Sequence, residues 1–355
     1  MITLRLPSLF LLGALLGCGS HDSPGITDTP PEVPALESVS FALLGSGKIA
    51  FERIGGGVGY QAIYIVDATA GRSTHSFDNT IAWGPALSPD GRLLAYTSYN
   101  TATLYDVWVA NVDGTGAQHV TSFPSQEGPP TWTADGARIV VVAGNFTTFV
   151  TNAFSQSPVP NPGNLTQLTH FADPPPGGQF VCPTLLDNDM TVSSSSQGLL
   201  AFACQGMEID ILAPDGSPSA SYVPSRSDRR NWPLVFSPKW SPDGTRLAFI
   251  ETISDSATNY SLVAVTVKVI NADGTNATTI ASAPGSNAQA GGGWFGLNNF
   301  SLCWMPDGST LVFNVPESDL VGHLWVVRSD GSGLAQLTSA PGVWDRSVSC
   351  SASSN

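Results

Sequence analysis

Residue types that catalyse reactions occur in this sequence, but not at the spacings that catalytic sites use. There is no GxSxG nucleophile elbow and no HExxH metal motif, and Gly45-Ser46-Gly47-Lys48 lacks the earlier glycine of a phosphate-binding loop. The Asp-Gly pairs lack the DxDxDG spacing of calcium loops, and no CxxC favours zinc. The sequence therefore predicts no catalytic residue, no metal and no cofactor.

The histidines are also too scattered to predict a nucleophile and its base, which must converge within hydrogen-bonding reach. We expect one of them in an N-terminal tether and the others at outer strands or their edges. They are His21, His75, His119, His170 and His323. An enzyme that used a central channel would need such groups on inner strands.

Arginine and aromatic side chains indicate binding instead. They concentrate in the long segments 217–238 and 284–300 and just before residue 347, and arginines stand out in a chain with only 14 Lys plus Arg. Long connections on a rigid scaffold often carry function, and these residue types are enriched at interface hot spots. The predicted binding face comprises Arg226, Arg229, Arg230, Trp232, Trp294, Phe295, Trp344 and Arg346. The alternative is that the tryptophans plug a channel and the arginines pair with local carboxylates.

Repeated hairpins must position these residues. A short strand, an Asp-Gly turn and an apolar strand recur at Ala86–Tyr96, Thr131–Val141, Phe236–Ile250 and Cys303–Phe313. A second pattern, an alternating strand followed by an Asp-Gly turn and a Thr-rich strand, recurs at Val107–Phe123, Val267–Ser282 and Leu324–Ser339. Aspartate bonds the backbone ahead of it and glycine takes the positive-φ position of such turns. The two patterns together predict a four-stranded antiparallel sheet.

The repeat spacing predicts an all-β fold, a six-bladed β-propeller. Four strands recurring every ~40–50 residues are typical of propellers. A degenerate copy falls near Thr184–Cys204. Lys48–Glu52 is a second strand without a first, and Arg346–Cys350 is a first strand with nothing after it. We expect the C-terminal strand to pair with the N-terminal strands and so complete the sixth blade.

These SPDG…LAF hairpins and the …ADGT…LT patterns after them resemble TolB-type propeller repeats, which also occur in some oligopeptidases. The resemblance covers about residues 48–350. It implies the fold, whereas function varies widely among such propellers. TolB carries an additional N-terminal α/β domain that we do not expect here, so its partner contacts do not carry over.

Four cysteines besides Cys18 predict two disulfides in an oxidising compartment. Cys182 and Cys204 fall on adjacent strands of one blade, whereas Cys303 and Cys350 fall on the innermost strands of neighbouring blades. We predict bonds 182–204 and 303–350, the second of which would latch the ring. The alternative is four buried free thiols.

The N-terminal residues 1–17 predict a lipoprotein signal peptide. An apolar run ends in Leu15-Leu16-Gly17-Cys18, which resembles a lipobox with Cys18 as the acylated residue. The alternative is an ordinary signal peptide with an incidental cysteine. Residues 18–36 predict a disordered tether, and 37–355 a single propeller domain. Gly19 favours an outer-membrane address, at the periplasmic face or the cell surface.

The formal net charge of −14 argues against nucleic acid as a partner.

Taken together, the lipobox-like segment and the propeller repeats predict the function of a membrane-anchored bacterial lipoprotein. Its propeller would bind a protein, a peptide or another envelope component without catalysis. Two alternatives remain: a hydrolase or lyase that acts on sugar or peptide at the channel mouth, and a structural envelope component.

Overall fold

The computed structural model describes residues 43–55, 61–68, 72–77, 82–100, 104–121, 127–145, 150–158, 165–168, 191–192, 198–204, 206–215, 217–226, 231–255, 261–284, 300–318 and 321–352. The predicted signal peptide, Cys18 and the tether lie outside these ranges. So does Cys182, and the side chain of Cys204 is likewise outside what is described, so the predicted 182–204 bond stays a prediction.

The described chain is built almost entirely of strands. Val, Ile, Thr and aromatic residues are frequent in them, and these residue types suit a pleated, half-buried surface. In chain order the strands are β1 (Lys48–Gly55), β2 (Gln61–Asp67), β3 (Arg72–Phe77), β4 (Ala82–Leu87), β5 (Leu93–Asn100), β6 (Leu104–Asn111), β7 (Gln118–His119), β8 (Thr131–Trp132), β9 (Ile139–Asn145), β10 (Val150–Gln156), β11 (Thr166–Gln167), β12 (Thr191–Val192), β13 (Leu200–Cys204), β14 (Glu208–Leu212), β15 (Pro218–Tyr222), β16 (Asn231–Trp240), β17 (Arg246–Asp255), β18 (Ser261–Asn271), β19 (Thr278–Pro284), β20 (Leu302–Trp304), β21 (Thr310–Ser318), β22 (Val321–Arg328), β23 (Ala335–Gln336) and β24 (Val343–Ser351). Within the described ranges, no helix has the length and apolar character needed to span a bilayer.

The arrangement of these strands is that of a β-propeller. The innermost strands of the sheets, which we call the first strands, are β4, β8, β12, β16, β20 and β24. They contact one another in that order, and β24 contacts β4 to close the ring. Each of them is followed outward by antiparallel neighbours. Small antiparallel sheets arranged around an axis bury their faces against one another, which is how a propeller protects its edges.

Strand pairing does not divide the described chain into six separate sheets. It gives four four-stranded sheets, β4–β7, β8–β11, β12–β15 and β16–β19, and one eight-stranded sheet in the order β20-β21-β22-β24-β1-β2-β3, with β23 on β22. The larger sheet arises because β22 and β24 approach each other at the parallel pair Gly322 and Trp344. Glycine permits the approach, since a Cβ on Gly322 would lie 2.9 Å from Trp344 Nε1.

The hydrophobic core is divided among the spaces between neighbouring sheets. One cluster joins β16–β19 to β20–β22, and the rings of Phe236 and Phe300 stack in it with centroids 5.2 Å apart. Another joins β1 and β2 to β4–β6. Phe249 and Phe313 are at most 1% exposed. Each sheet is therefore stabilised by both neighbours and not by a central core.

The Asp-Gly turns have the predicted geometry. In the first of them, Ser88 Oγ donates to Asp90 Oδ1 at 2.6 Å, the Arg92 amide donates to the same oxygen at 3.1 Å, and Gly91 has φ +67°. Hydrogen bonds from a Ser or Thr hydroxyl lower the pKa of six turn carboxylates, those of Asp90, Asp135, Asp215, Asp243, Asp273 and Asp330. These carboxylates serve the turns, as predicted, and we call this end of the propeller the turn end.

The chain enters the described domain at the turn end. The Thr310 hydroxyl donates to the carbonyl of Leu43 at 3.0 Å, and Gly45 lies beside the turn carboxylate of Asp307. From there β1 runs toward the opposite end, where the connections between sheets are long. We call that opposite end the long-loop end.

Ring closure follows the prediction: β24 pairs antiparallel with β1. Glu52 lies opposite Arg346, and Arg53 lies opposite Asp345. Arg53 Nε and Nη2 donate to the two oxygens of Asp345 at 2.6 and 2.8 Å, and Arg346 Nε lies 3.0 Å from Glu52 Oε2. Both carboxylate side chains are fully buried, so the closure holds two ion pairs away from water.

Tryptophan side chains bind first strands of neighbouring sheets to each other. Trp132 Nε1 donates to the Ala86 carbonyl at 2.9 Å, and Trp304 Nε1 donates to the Lys239 carbonyl at the same distance. Both tryptophans directly precede a turn and are 6–7% exposed. We call these contacts the tryptophan staples.

The disulfide Cys303–Cys350 is present, as predicted, with the Cα atoms 5.6 Å apart. Cys350 pairs with Ile49 just as Trp304 pairs with Leu311, so Cys350 occupies the tryptophan position of its strand. The covalent bond therefore replaces a tryptophan staple where the ring closes.

Three first strands share a bulge. Gly84, Ser237 and Ser347 have φ of 62°, 53° and 53°, and the register of β4, β16 and β24 shifts at these positions. Positive φ is strained for serine, and such bulges redirect side chains at barrel rims and binding sites.

The disulfide yields the first testable prediction. The double variant Cys303→Ser/Cys350→Ser should lose roughly 4 kcal/mol of unfolding free energy, the chain-entropy value for a loop of this size, since the bond spans 47 residues. The loss of unfolding free energy is measured by guanidinium unfolding of the full chain, in a buffer that contains neither an oxidant nor a reductant. Each single serine variant should lose about as much as the double variant, because either change breaks the bond. Unchanged midpoints in all three would show that the bond does not hold the ring.

Candidate functional site

The first strands enclose a central cavity of about 480 Å³. Its described wall comes from β4, β8, β16, β20 and β24 and from the segments that flank them, and it includes prolines of the turn end such as Pro89 and Pro242. Cavities of ~300–1,000 Å³ are the usual size of small-ligand sites. The cavity is therefore large enough to hold a ligand.

A throat of large side chains surrounds the cavity toward the long-loop end. Trp83, Phe300 and Arg346 occupy equivalent positions on β4, just before β20 and on β24, and all three line the cavity. In β4 and β24 this position directly precedes the bulge, which sets the direction of the side chain. The throat is thus aromatic with one cation.

Arg346 is held in place by a buried carboxylate. Its side chain is 25% exposed, and its partner Glu52 is fully buried. Glu52 Oε1 also accepts the amide of Gly84 at 2.5 Å, so one carboxylate ties β24 to β4. Arg346 was predicted on the binding face. The structure places Arg346 in the cavity wall, where it pairs with a carboxylate. Such a pairing was the alternative interpretation of the arginines in the sequence.

Two other predicted residues come together at the long-loop end. The Arg226 guanidinium lies over the Trp232 ring, 4.2 Å from its centroid. Arg226 is exposed and Trp232 is 39% exposed. Trp232 pairs with Ser254 near the end of β17, which fixes this contact at the long-loop end.

Trp344 also lies toward the long-loop end, opposite Ile54 near the end of β1. Its indole packs against Gly322, where it forms part of the closure between β22 and β24. The remaining predicted residues of the face, Arg229, Arg230, Trp294 and Phe295, lie outside the described residues.

An aromatic cluster at the long-loop end was not predicted. The Tyr105 ring meets Trp83 edge-on at 5.9 Å and Tyr99 at 5.3 Å between centroids. Tyr99 is 39% exposed. Both tyrosines flank the connection between the second and third strands of one sheet, whereas the predicted binding face lies on connections between sheets. Aromatic residues around that inner connection were the signal that could have identified the cluster.

The described histidines lie away from the cavity wall. His119 Nε2 is 2.9 Å from Asp106 Oδ2, and its ring stacks on Trp108 with centroids 5.1 Å apart. His323 Nε2 is 3.9 Å from Glu317. Within the described ranges, no group of three or more His, Cys, Asp or Glu is arranged to hold a metal ion.

A carboxylate pair on β14 was also not predicted. Burial, followed by the charge of Glu208, raises the pKa of Asp210 to about 6. Asp210 lies opposite Phe202, whose ring packs toward the sheet β8–β11. The carboxyl group therefore faces the space between two sheets and not the cavity, so its raised pKa reports an unfavourable burial of charge.

Comparison with solved structures assigns the fold to a known type. TolB from Acinetobacter baumannii superposes with a TM-score of 0.61 at 17% identity, over 90% of this chain and 68% of that chain. The chain has a TolB-like propeller fold. No family model matches the sequence, and no curated relative matches it.

Enzymes share the same fold. The chain is similar to hydrazine synthase of Kuenenia stuttgartiensis, with a TM-score of 0.59 and 11% identity over 90% of this chain and 47% of that one. It is also similar to the periplasmic gluconolactonase of Pseudomonas aeruginosa, with a TM-score of 0.52 and 9% identity over 86% and 99%. At such identities the likeness concerns the fold alone.

Asp210 yields a pH prediction. Its folded pKa lies above the ordinary value of 3.8, so the folded state binds the extra proton. The stability this contributes is complete below about pH 3.8 and is lost as pH rises through about 6. Asp210→Asn should therefore raise the unfolding free energy at pH 7.5 by about 1 kcal/mol, a value discounted for solvent screening.

Thermal unfolding at pH 4.5 and pH 7.5 measures this effect. The matched control is Asp273→Asn, since hydrogen bonds from Thr275 lower the pKa of Asp273 and its charged form is the favoured one. That variant should gain nothing at pH 7.5. An Asp210→Asn variant less stable than the parent at pH 7.5 would contradict the assignment.

Proposed function

We propose that this protein is a non-catalytic binding propeller of the bacterial cell envelope. Its long-loop end captures a protein, a peptide or another envelope component. We include in the proposal the lipid anchor at Cys18 and a location at the outer membrane, on its periplasmic face or at the cell surface. The lipobox-like Leu15-Leu16-Gly17-Cys18 supports the anchor, and the apolar run before it supports export.

The observation that carries the proposal is the exposed Arg226–Trp232 stack. A guanidinium lying 4.2 Å over a tryptophan ring is already oriented, and both groups remain accessible to a partner. Preorganised arginine and tryptophan side chains are the ones that dominate interface energetics, because little side-chain freedom is lost on binding. An exposed stack of this kind fits a recognition surface better than a stabilising contact.

The rest of the long-loop end supports the same role. A second aromatic group lies there and comprises Tyr99, Tyr105 and Trp83. Of these, Trp83 also lines the throat of the cavity. The turn end contrasts with it, because its carboxylates are engaged in their own turns. A partner that approaches the long-loop end would meet aromatic rings and arginine.

We also propose that the propeller has six blades. The closed ring of six first strands supports this count. In this interpretation the eight-stranded sheet comprises two blades, β20–β23 and β24 with β1–β3, which touch at the pair Gly322 and Trp344.

A second function has one observation in its favour. The cavity of about 480 Å³ has the size of a small-ligand site, which suits a hydrolase or lyase acting on sugar or peptide at the channel mouth. Such an enzyme would need a base and a nucleophile or metal at the cavity. Turnover of a saccharide or peptide panel by the parent protein would decide for this function.

Capture of an envelope partner tests the binding function. The tagged full-length protein, solubilised from membranes, is mixed with envelope extract beside Arg226→Ala/Trp232→Ala. We expect the parent to retain a partner that the double variant loses at least tenfold, since hot-spot truncations cost ~2 kcal/mol or more each.

The matched control is Arg328→Ala/Trp325→Phe. It removes an exposed arginine near the turn end and changes a tryptophan without touching the stack. It should retain the partner as the parent does, and circular dichroism should show that all three proteins fold alike. Equal capture by parent and stack variant would remove the long-loop stack from the function.

A further inference from the structure

Two methionines within the described ranges differ in their accessibility. Met207 is 50% exposed, whereas Met305 is fully buried beside a turn, where its carbonyl accepts the Gly308 amide. Met207 lies between β13 and β14, a second and a third strand of one sheet. Such connections lie opposite the Asp-Gly turns, which join first to second and third to fourth strands. The thioether of Met207 is therefore accessible to a dissolved reagent at the long-loop end.

The hairpin that carries Met207 is held in place by the next sheet. The Gly206 carbonyl accepts the Val235 amide at 2.7 Å, and a Cβ on Gly206 would lie 3.4 Å from Leu234 Cδ2. Leu234 and Trp232 lie on the same face of β16, because side chains alternate along a strand. Met207 therefore lies at a joint between two sheets, on the side of the long-loop end that carries the exposed stack.

Apolar side chains are exposed on both sides of this joint. Val223 follows Tyr222, whose backbone pairs with Ile209 in the hairpin that carries Met207, and Val223 is 63% exposed. On the other side Trp232 is 39% exposed. The unbranched thioether of methionine adapts to the shape of a partner, as it does at many binding surfaces. A polar oxygen on Met207 would interrupt this apolar surface.

Hydroperoxides place such an oxygen on an accessible methionine. The sulfur takes one oxygen atom from the peroxide, whose O–O bond breaks, so that methionine sulfoxide and an alcohol or water are formed. The sulfur is oxidised and the peroxide is reduced. A sulfoxide reductase reverses the step with two thiols, which become a disulfide while the oxygen leaves as water. Neither step requires the fold to open at Met207, because its side chain is already exposed.

We propose that Met207 is a reversible oxidation site for hydroperoxides, and that its sulfoxide weakens binding at the long-loop end. The oxidation itself needs no partner and stands apart from the proposed function. The effect on binding rests on that function. Its physical cause is the cost of burying a polar oxygen against a partner that offers no hydrogen bond to it.

Treatment with hydrogen peroxide tests the oxidation site. The folded full-length protein is treated for increasing times, and tandem mass spectrometry of its peptides measures the sulfoxide at each methionine. We expect Met207 to react roughly tenfold faster than Met305 or more, since reactivity follows exposure. In guanidinium the two should react at similar rates, so that the difference belongs to the fold. A methionine sulfoxide reductase should restore Met207 in the folded protein.

Partner capture tests the effect on binding. Parent and Met207→Leu, which keeps an apolar side chain of similar size but has no sulfur, are each compared with their own untreated sample. Peroxide should weaken capture by the parent about fivefold or more, because the sulfoxide oxygen is buried without a partner. It should leave capture by Met207→Leu as it was. Circular dichroism should show that the treated proteins remain folded.

Similar oxidation rates of Met207 and Met305 in the folded protein would overturn the oxidation site. Equal loss of capture in the parent and in Met207→Leu, or no loss in either, would overturn the effect on binding. Failure of the proposed function is a separate result, because the untreated parent would then capture nothing. In that case the effect on binding falls with the function, and the oxidation rates alone decide the site.

Discussion

The pairing of β24 with β1 is the constraint on which the rest of the propeller depends. Two ion pairs lie in this pairing, Glu52 with Arg346 and Arg53 with Asp345. Buried ion pairs add little net stability, but breaking one is expensive, because a charge is left without a partner. A slip of one residue in either direction would set like charges opposite each other. The charges therefore specify the register as well as the pairing, and the register decides which side chains face the cavity.

Different contacts join neighbouring first strands at different places in the ring. Between some sheets a tryptophan donates to the carbonyl of the next strand, whereas at the closure a disulfide occupies the same position. Trp83 and Trp240 also border the central cavity, but their buried indole nitrogens have no hydrogen-bond partner within the described residues. The tryptophans of the first strands therefore differ in whether a carbonyl of the next strand lies within reach.

Much of the fold could be predicted because short repeated sequence patterns encode it. Asp-Gly turns, apolar strands and the lone second strand at Lys48 are local signals, and they led to the closure and to Cys303–Cys350. The count of separate sheets could not be predicted, since it depends on how closely Gly322 allows Trp344 to approach. Which carboxylate pairs with Arg346 could not be predicted for a similar reason. These residues lie 294 positions apart, and only the closed ring brings them together.

The position of Leu43 gives the molecule a direction. The polypeptide enters the propeller beside Thr310 and the turn carboxylate of Asp307, at the end opposite the Arg226–Trp232 stack. A pulling force applied through the residues before Leu43 would therefore load the turn end first and leave the Arg226–Trp232 stack at the far end unloaded.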